Sequence, residues 1–154
     1  MPTAAQSKLS VTALLPQKAD RISLAGVFSH SNWKLDVCET LREARVRLPE
    51  RGSGVVICDS VVPDGDWQDL LSALPAKEPS PRLIVALATP DPRVWAEIID
   101  LGGYDAIVKP FEREEVVRIV SLAWLSWREA VQASAPKAKP AHVQGLGRLA
   151  PAAL

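Results

Sequence analysis

A doubly wound α/β domain is the fold class this sequence predicts, and three observations predict it. Five short apolar runs alternate with five helix-like segments. The runs are apolar along their length, as parallel strands covered on both faces should be. The chain has 154 residues, which suits one compact domain, with or without a tail, able to bury a core without disulfide or metal staples.

Ser10–Leu15 (SVTALL) reads as the first strand, stopped by Pro16. Residues 17–29 can form a helix that buries Ile22, Ala25, Val27 and Phe28. Trp33–Cys38 alternates as a second strand. Thr40–Leu48 carries Leu41, Ala44 and Leu48 at helical spacing and is expected to end at Pro49. Gly54–Cys58 (GVVIC) is the third strand, and Asp66–Leu74 a short helix. Leu83–Leu87 (LIVAL) is a buried strand. Pro92–Leu101 is a helix with Pro in its first turn and Gly102–Gly103 at its end. Tyr104–Val108 is the last strand, and Glu112–Arg128 the last helix, with three acids in its first turn. Right-handed crossovers then imply a flavodoxin-like, five-stranded parallel sheet in the order 2-1-3-4-5, with helices on both faces.

Composition narrows the function. Eighteen Lys and Arg balance eighteen Asp and Glu, which argues against a surface built for nucleic acid. Two cysteines, Cys38 and Cys58, make neither a disulfide framework nor a four-ligand zinc site and read as core residues. The apolar stretch Val116–Trp127 is short and holds Arg118, so no membrane span is expected. The N-terminus lacks a leader pattern, so a cytoplasmic location is expected. Residues 131–154 are Ala- and Pro-rich, hold three basic residues and no acid, and lack aromatics. They read as a disordered tail, residues 1–8 as a flexible N-terminus, and residues 9–130 as the folded unit.

In doubly wound sheets, chemistry sits at the carboxyl ends of the strands. Asp59 ends the third strand in VVICDSVVPDGDW, and Lys109 ends the fifth in DAIVKPF. From the residues alone, Asp59 is either a chemistry-bearing carboxylate or an aspartate capping the turn before the third helix. The spacing D-x-x-x-P-D-G, followed by the block G-G-Y-D-x-x-x-K-P-F, resembles the receiver domain of two-component response regulators over residues 10–128. The resemblance implies that Asp59 is the phospho-acceptor, that Lys109 contacts the phosphoryl group and that Pro110 follows a cis bond. It also implies Mg²⁺, a sensor histidine kinase or other signalling protein as partner, and no enzymatic activity beyond self-phosphorylation from a phosphodonor.

The chain departs from the family's pattern in three places. Leu15, Pro16 and Gln17 stand where an acidic pair would hold the metal, and Asp20, a turn further on, is expected to lie too far away. The evident metal ligands are then Asp59 and the backbone carbonyl of Val61, so Mg²⁺ binding is expected to be weak. Leu87, or its neighbour Ala86, replaces the hydroxyl residue at the end of the fourth strand, and Thr89 comes two residues late. Ala106 replaces the aromatic residue three before the lysine.

Other residues have plainer readings. His30 sits at a helix end, His142 in the tail, and Gly102–Gly103 is a helix stop. Trp95 and Trp124, in the last two helices, are either wide core or anchors of a partner surface on helix 4, strand 5 and helix 5, where a homodimer could form. The expected function is an atypical, stand-alone receiver in a phosphorelay. The competing readings are a phosphorylation-independent interaction module and a small α/β nucleotide-binding or hydrolase domain. The latter would need a Walker loop, dinucleotide fingerprint or nucleophile elbow that the sequence lacks.

Overall fold

The computed structural model describes residues 8–135. The elements run β1 (Ser10–Leu14), α1 (Lys18–Phe28), β2 (Lys34–Cys38), α2 (Leu41–Arg51), β3 (Val55–Asp59), β4 (Val61–Val62), β5 (Gly65–Asp66), α3 (Trp67–Ala73), β6 (Arg82–Leu87), α4 (Pro92–Asp100), β7 (Asp105–Val108) and α5 (Arg113–Ser134). The parallel sheet has the order β2-β1-β3-β6-β7, which is 2-1-3-4-5 when only its own strands are counted.

Strand alternation divides the core in two. Val11, Ala13, Val55, Ile57, Ile84, Ala86 and Ile107 pack under α1 and α5, with Leu24, Phe28, Val116, Ile119 and Val120. Leu14, Val56, Cys58, Leu83, Val85 and Leu87 pack under α2, α3 and α4, with Leu41, Leu48, Leu70 and Ile98. The three central strands are buried on both faces, which explains why their sequences are apolar throughout. Both cysteines lie in the second core. Burial, chiefly, pushes the Cys38 thiol up to about 12 and raises that of Cys58 as well, so both stay protonated and inert.

Three boundaries differ from expectation. α2 continues through Pro49 to Arg51. A proline in the last turn removes one amide donor without stopping the helix at once, and Gly52, at φ 64°, ends it with its amide on the Leu48 carbonyl. The segment after β3 is a small antiparallel hairpin, with Val61 opposite Asp66 and Val62 opposite Gly65. α5 is 22 residues long and runs to Ser134, four residues past the expected end of the folded unit. The remainder of the expected tail, with His142, and residues 1–7 lie outside the described residues.

α5 is pinned to the sheet at its far end. Arg82 donates through Nε to Ser126 Oγ at 3.0 Å and through Nη2 to the Ser126 carbonyl. The Trp127 ring lies on Gly54, where a Cβ would fall inside it. Only glycine permits this approach of ring to backbone.

Candidate functional site

The carboxyl ends of β1, β3 and β7 form the site. Asp59 is the last residue of β3 and is 7% exposed. By alternation it shares the α1–α5 side of the sheet with Val55 and Ile57, as Lys109 does with Ile107. Lys109 Nζ donates to Asp59 Oδ2 at 3.0 Å. The other oxygen, Oδ1, accepts the Ser60 amide at 2.8 Å. Lys109 is itself fixed by its amide on the Leu87 carbonyl, 2.8 Å away. The Lys109–Pro110 peptide bond is cis.

Asp20 corrects the sequence reading. Its Oδ2 lies 2.8 Å from Lys109 Nζ, closer than Asp59 does. The reason is helical phase: α1 starts at Lys18 after Gln17, and the first turn brings residue 20 back over the rim. One ammonium thus bridges two carboxylates, each group largely shielded from solvent. Burial pulls the Lys109 pKa down, but the hydrogen bonds and charges of Asp20 and Asp59 outweigh it and hold the pKa above the ordinary 10.5. Lys109 is therefore a permanent cation at neutral pH.

Mg²⁺ is the ion that the resemblance implies at this rim. Such an ion wants near-octahedral oxygens, usually carboxylates and waters. Among the described residues no three acidic, histidine or cysteine side chains gather closely enough to hold a metal. The two carboxylates that do converge already hold Lys109. Val61, whose backbone carbonyl is the other ligand the resemblance implies, lies in β4, two residues after Asp59.

The loop after the acceptor is tied down. Asp64 accepts the Leu41 and Arg42 amides at 2.7 and 3.0 Å, capping the start of α2 from the hairpin. Asp66 and Asp69 form a reciprocal capping box on α3. No sequence motif announces the Asp64 cap, because its partners are 22 and 23 residues away.

Ala86 pairs directly with Asp59, and Leu87 ends β6. Neither carries a hydroxyl, and Thr89 is exposed in the following loop. Ala106 leaves a hollow of about 290 Å³ lined by Leu87, Pro90, Pro92, Trp95, Ala106 and Val108. Trp95 is 48% exposed at its edge and donates its indole N–H to Asp105 Oδ1 at 3.0 Å. Trp124 is not part of that patch. It packs against the α1–α5 core, lines a separate hollow with Leu9, Asn32 and Trp33, and carries the Arg128 guanidinium over its ring. His30 is exposed just after α1.

Residues 17–121 match the response regulator receiver domain family. Over 81 residues the chain is 30% identical to the chemotaxis protein CheY of Listeria monocytogenes, covering 53% of this chain and 68% of that protein. The fold superposes on the signal receiver domain of an HD domain-containing protein from Pseudomonas fluorescens with a TM-score of 0.71, at 21% identity, covering 80% of this chain and 99% of that one. It superposes on the beryllofluoride-activated NtrC4 receiver domain dimer with a TM-score of 0.70, at 23% identity, covering 77% and 98%. It is the family match, rather than the sheet or the Asp59–Lys109 pair by itself, that makes the chain a signalling module. This chain belongs to the response regulator receiver family of two-component signalling. No helix among the described residues is long and apolar enough to cross a membrane.

Proposed function

We propose that this receiver accepts a phosphoryl group on Asp59 from a sensor histidine kinase or a small phosphodonor, slowly, and signals by protein contact. The observation that carries the reading is the Lys109 ammonium 3.0 Å from Asp59 Oδ2. In the transfer, an Asp59 carboxylate oxygen forms a P–O bond as the donor's P–N bond to histidine, or P–O bond to acetate, breaks. The electron pair leaves with the imidazole or the acetate. Lys109 offsets charge on the phosphoryl oxygens, the main lever in such reactions. Slowness follows from two features. Asp20 competes for the ammonium, and neither Ala86 nor Leu87 offers a hydroxyl.

The test is acetyl phosphate treatment followed by intact mass. A slow gain of one phosphoryl group is expected, and none in Asp59→Asn, whose amide is not a competent nucleophile. Labelling that persists in Asp59→Asn would remove Asp59 from the role.

The α4–β7–α5 face is the proposed output, and a second copy is one proposed partner, as in the NtrC4 receiver dimer. The half-exposed Trp95 beside the Ala106 hollow supports α4 and β7 as its centre. A buried tryptophan anchor is worth about 2 kcal/mol or more on truncation. Trp95→Ala should then weaken self-association in analytical ultracentrifugation. A wild type that stays monomeric at high concentration leaves only a foreign partner.

A second reading, a phosphorylation-independent interaction module, is favoured by the alanine at position 106. With no aromatic to reposition, the face keeps one shape in both states. Equal partner affinity for wild type and Asp59→Asn, with no labelling of either, would establish it.

A further inference from the structure

One ammonium serves two carboxylates at the rim, and the acceptor holds the longer of the two bonds. Lys109 Nζ lies 2.8 Å from Asp20 Oδ2 and 3.0 Å from Asp59 Oδ2. The backbone sets Asp20 in place. Its amide and that of Arg21 both donate to the Gln17 carbonyl, at 3.1 and 3.2 Å. Arg21 ties the same turn down on the β2 side, with Nη1 2.8 Å from the Leu15 and Pro16 carbonyl oxygens and Nη2 3.6 Å from Glu39 Oε2. The first turn of α1 is thus anchored, and Asp20 leaves Lys109 by turning about its own side-chain bonds.

Two carboxylates against one ammonium leave this cluster with an excess negative charge, and all three side chains are largely shielded from solvent. Charges so placed interact more strongly than exposed ones. A transferring phosphoryl group brings further negative charge to the same point. It needs the Nζ protons that Asp20 holds, and it is repelled by the Asp20 carboxylate as long as that group stays. Asp20 stands to Lys109 as a phosphoryl oxygen would, an anionic oxygen at hydrogen-bonding distance.

Resting on the receiver reading above, we propose that Asp20 is an internal gate on phosphoryl acceptance: its carboxylate occupies the place on Lys109 that a phosphoryl oxygen takes, and it has to be displaced before Asp59 is phosphorylated. The covalent step is the one already written: a P–O bond forms at an Asp59 oxygen, and the donor's imidazole or acetate departs with its electron pair. Asp20 takes no proton and forms no covalent bond in it. It acts through Lys109 and is a positioning residue. The same charge opposes any phosphoryl-like anion at Asp59, beryllofluoride included.

The test uses the full chain with Asp20→Asn, Asp20→Ala and Asp20→Glu, each treated with acetyl phosphate in one Mg²⁺ buffer and followed by intact mass. Asparagine still accepts a hydrogen bond from Lys109 but carries no charge. Asp20→Asn and Asp20→Ala should label faster than wild type by about tenfold, the effect of removing one unit charge from a partly shielded site. Asp20→Glu should stay slow. Wild-type labelling should speed up with salt, and that of Asp20→Asn should not, a difference that a merely structural role would not produce. A beryllofluoride titration reads the same preference without transfer, through the ¹⁵N-labelled Ser60 amide that donates to Asp59 Oδ1. Asp20→Asn should bind the analogue about tenfold more tightly. Neutral variants that label at or below the wild-type rate overturn the gate and leave Asp59 as the acceptor. If Asp20→Asn does not fold by circular dichroism, Asp20→Ala decides, and if neither folds, the salt dependence of the wild type does. If neither wild type nor a folded neutral variant labels or binds beryllofluoride, phosphoryl acceptance at Asp59 fails, and the gate falls with it.

Discussion

Replacing Lys109 with methionine keeps most of the side-chain stem and removes the charge that joins two carboxylates. The contacts are 2.8 Å to Asp20 and 3.0 Å to Asp59. At an effective dielectric near 20, each has a gross attraction of about 6 kcal/mol, most of which desolvation cancels. Breaking a fully buried pair costs about 3–5 kcal/mol, and an exposed one about 1 kcal/mol or less. Here the three side chains are 18%, 19% and 10% exposed, so the site falls between these limits. Loss of the cation also leaves two carboxylates converging on one point. The expected loss is about 2–3 kcal/mol at neutral pH, or a urea midpoint lower by about 1–2 M for a domain of this size.

The pH dependence follows from the raised pKa. Lys109 gains its partners in the folded state, so its contribution is complete below the unfolded value of 10.5 and is lost as pH rises through the higher folded value. The gap between wild type and Lys109→Met should be flat around neutrality and narrow above about pH 10.5. Urea melts followed by circular dichroism at several pH values measure both. A loss below about 0.5 kcal/mol, at the level of a screened surface pair, would refute the idea that this ammonium holds the rim together.

Gly54→Ala should destabilise the domain by about 1–3 kcal/mol, as overpacking does, because the new methyl meets the Trp127 ring. Thermal melts check this, and Trp127→Leu in the same background should recover part of the loss. Asp64→Asn should lower the melting temperature, since the carboxylate serves the Leu41 and Arg42 amides at the start of α2. Those backbone hydrogen bonds, the Leu41 amide foremost, hold the Asp64 pKa below its ordinary 3.8. Its contribution is therefore present above that value and lost as pH falls through the lowered one, and melts of the two proteins should converge in strong acid.

The alternation of apolar runs and helical patterns determined the fold, because a strand covered on both faces has to be apolar along its length. Val55–Cys58 and Leu83–Leu87 announce themselves in this way. Chain direction then followed, since parallel strands put their carboxyl ends on one rim, and this brought Asp59 and Lys109 together in the sequence reading. Alternation even set their side: Asp59 matches Ile57, and Lys109 matches Ile107. What the sequence left open depends on the phase of a helical turn and the reach of a side chain. Asp20 looked too distant because residue spacing measures contour, whereas the first turn of α1 folds it back onto Lys109. Trp95 and Trp124 shared a surface on paper, yet they line separate hollows. Periodicity places a residue on a face of its own helix; only the packed sheet decides what that face meets.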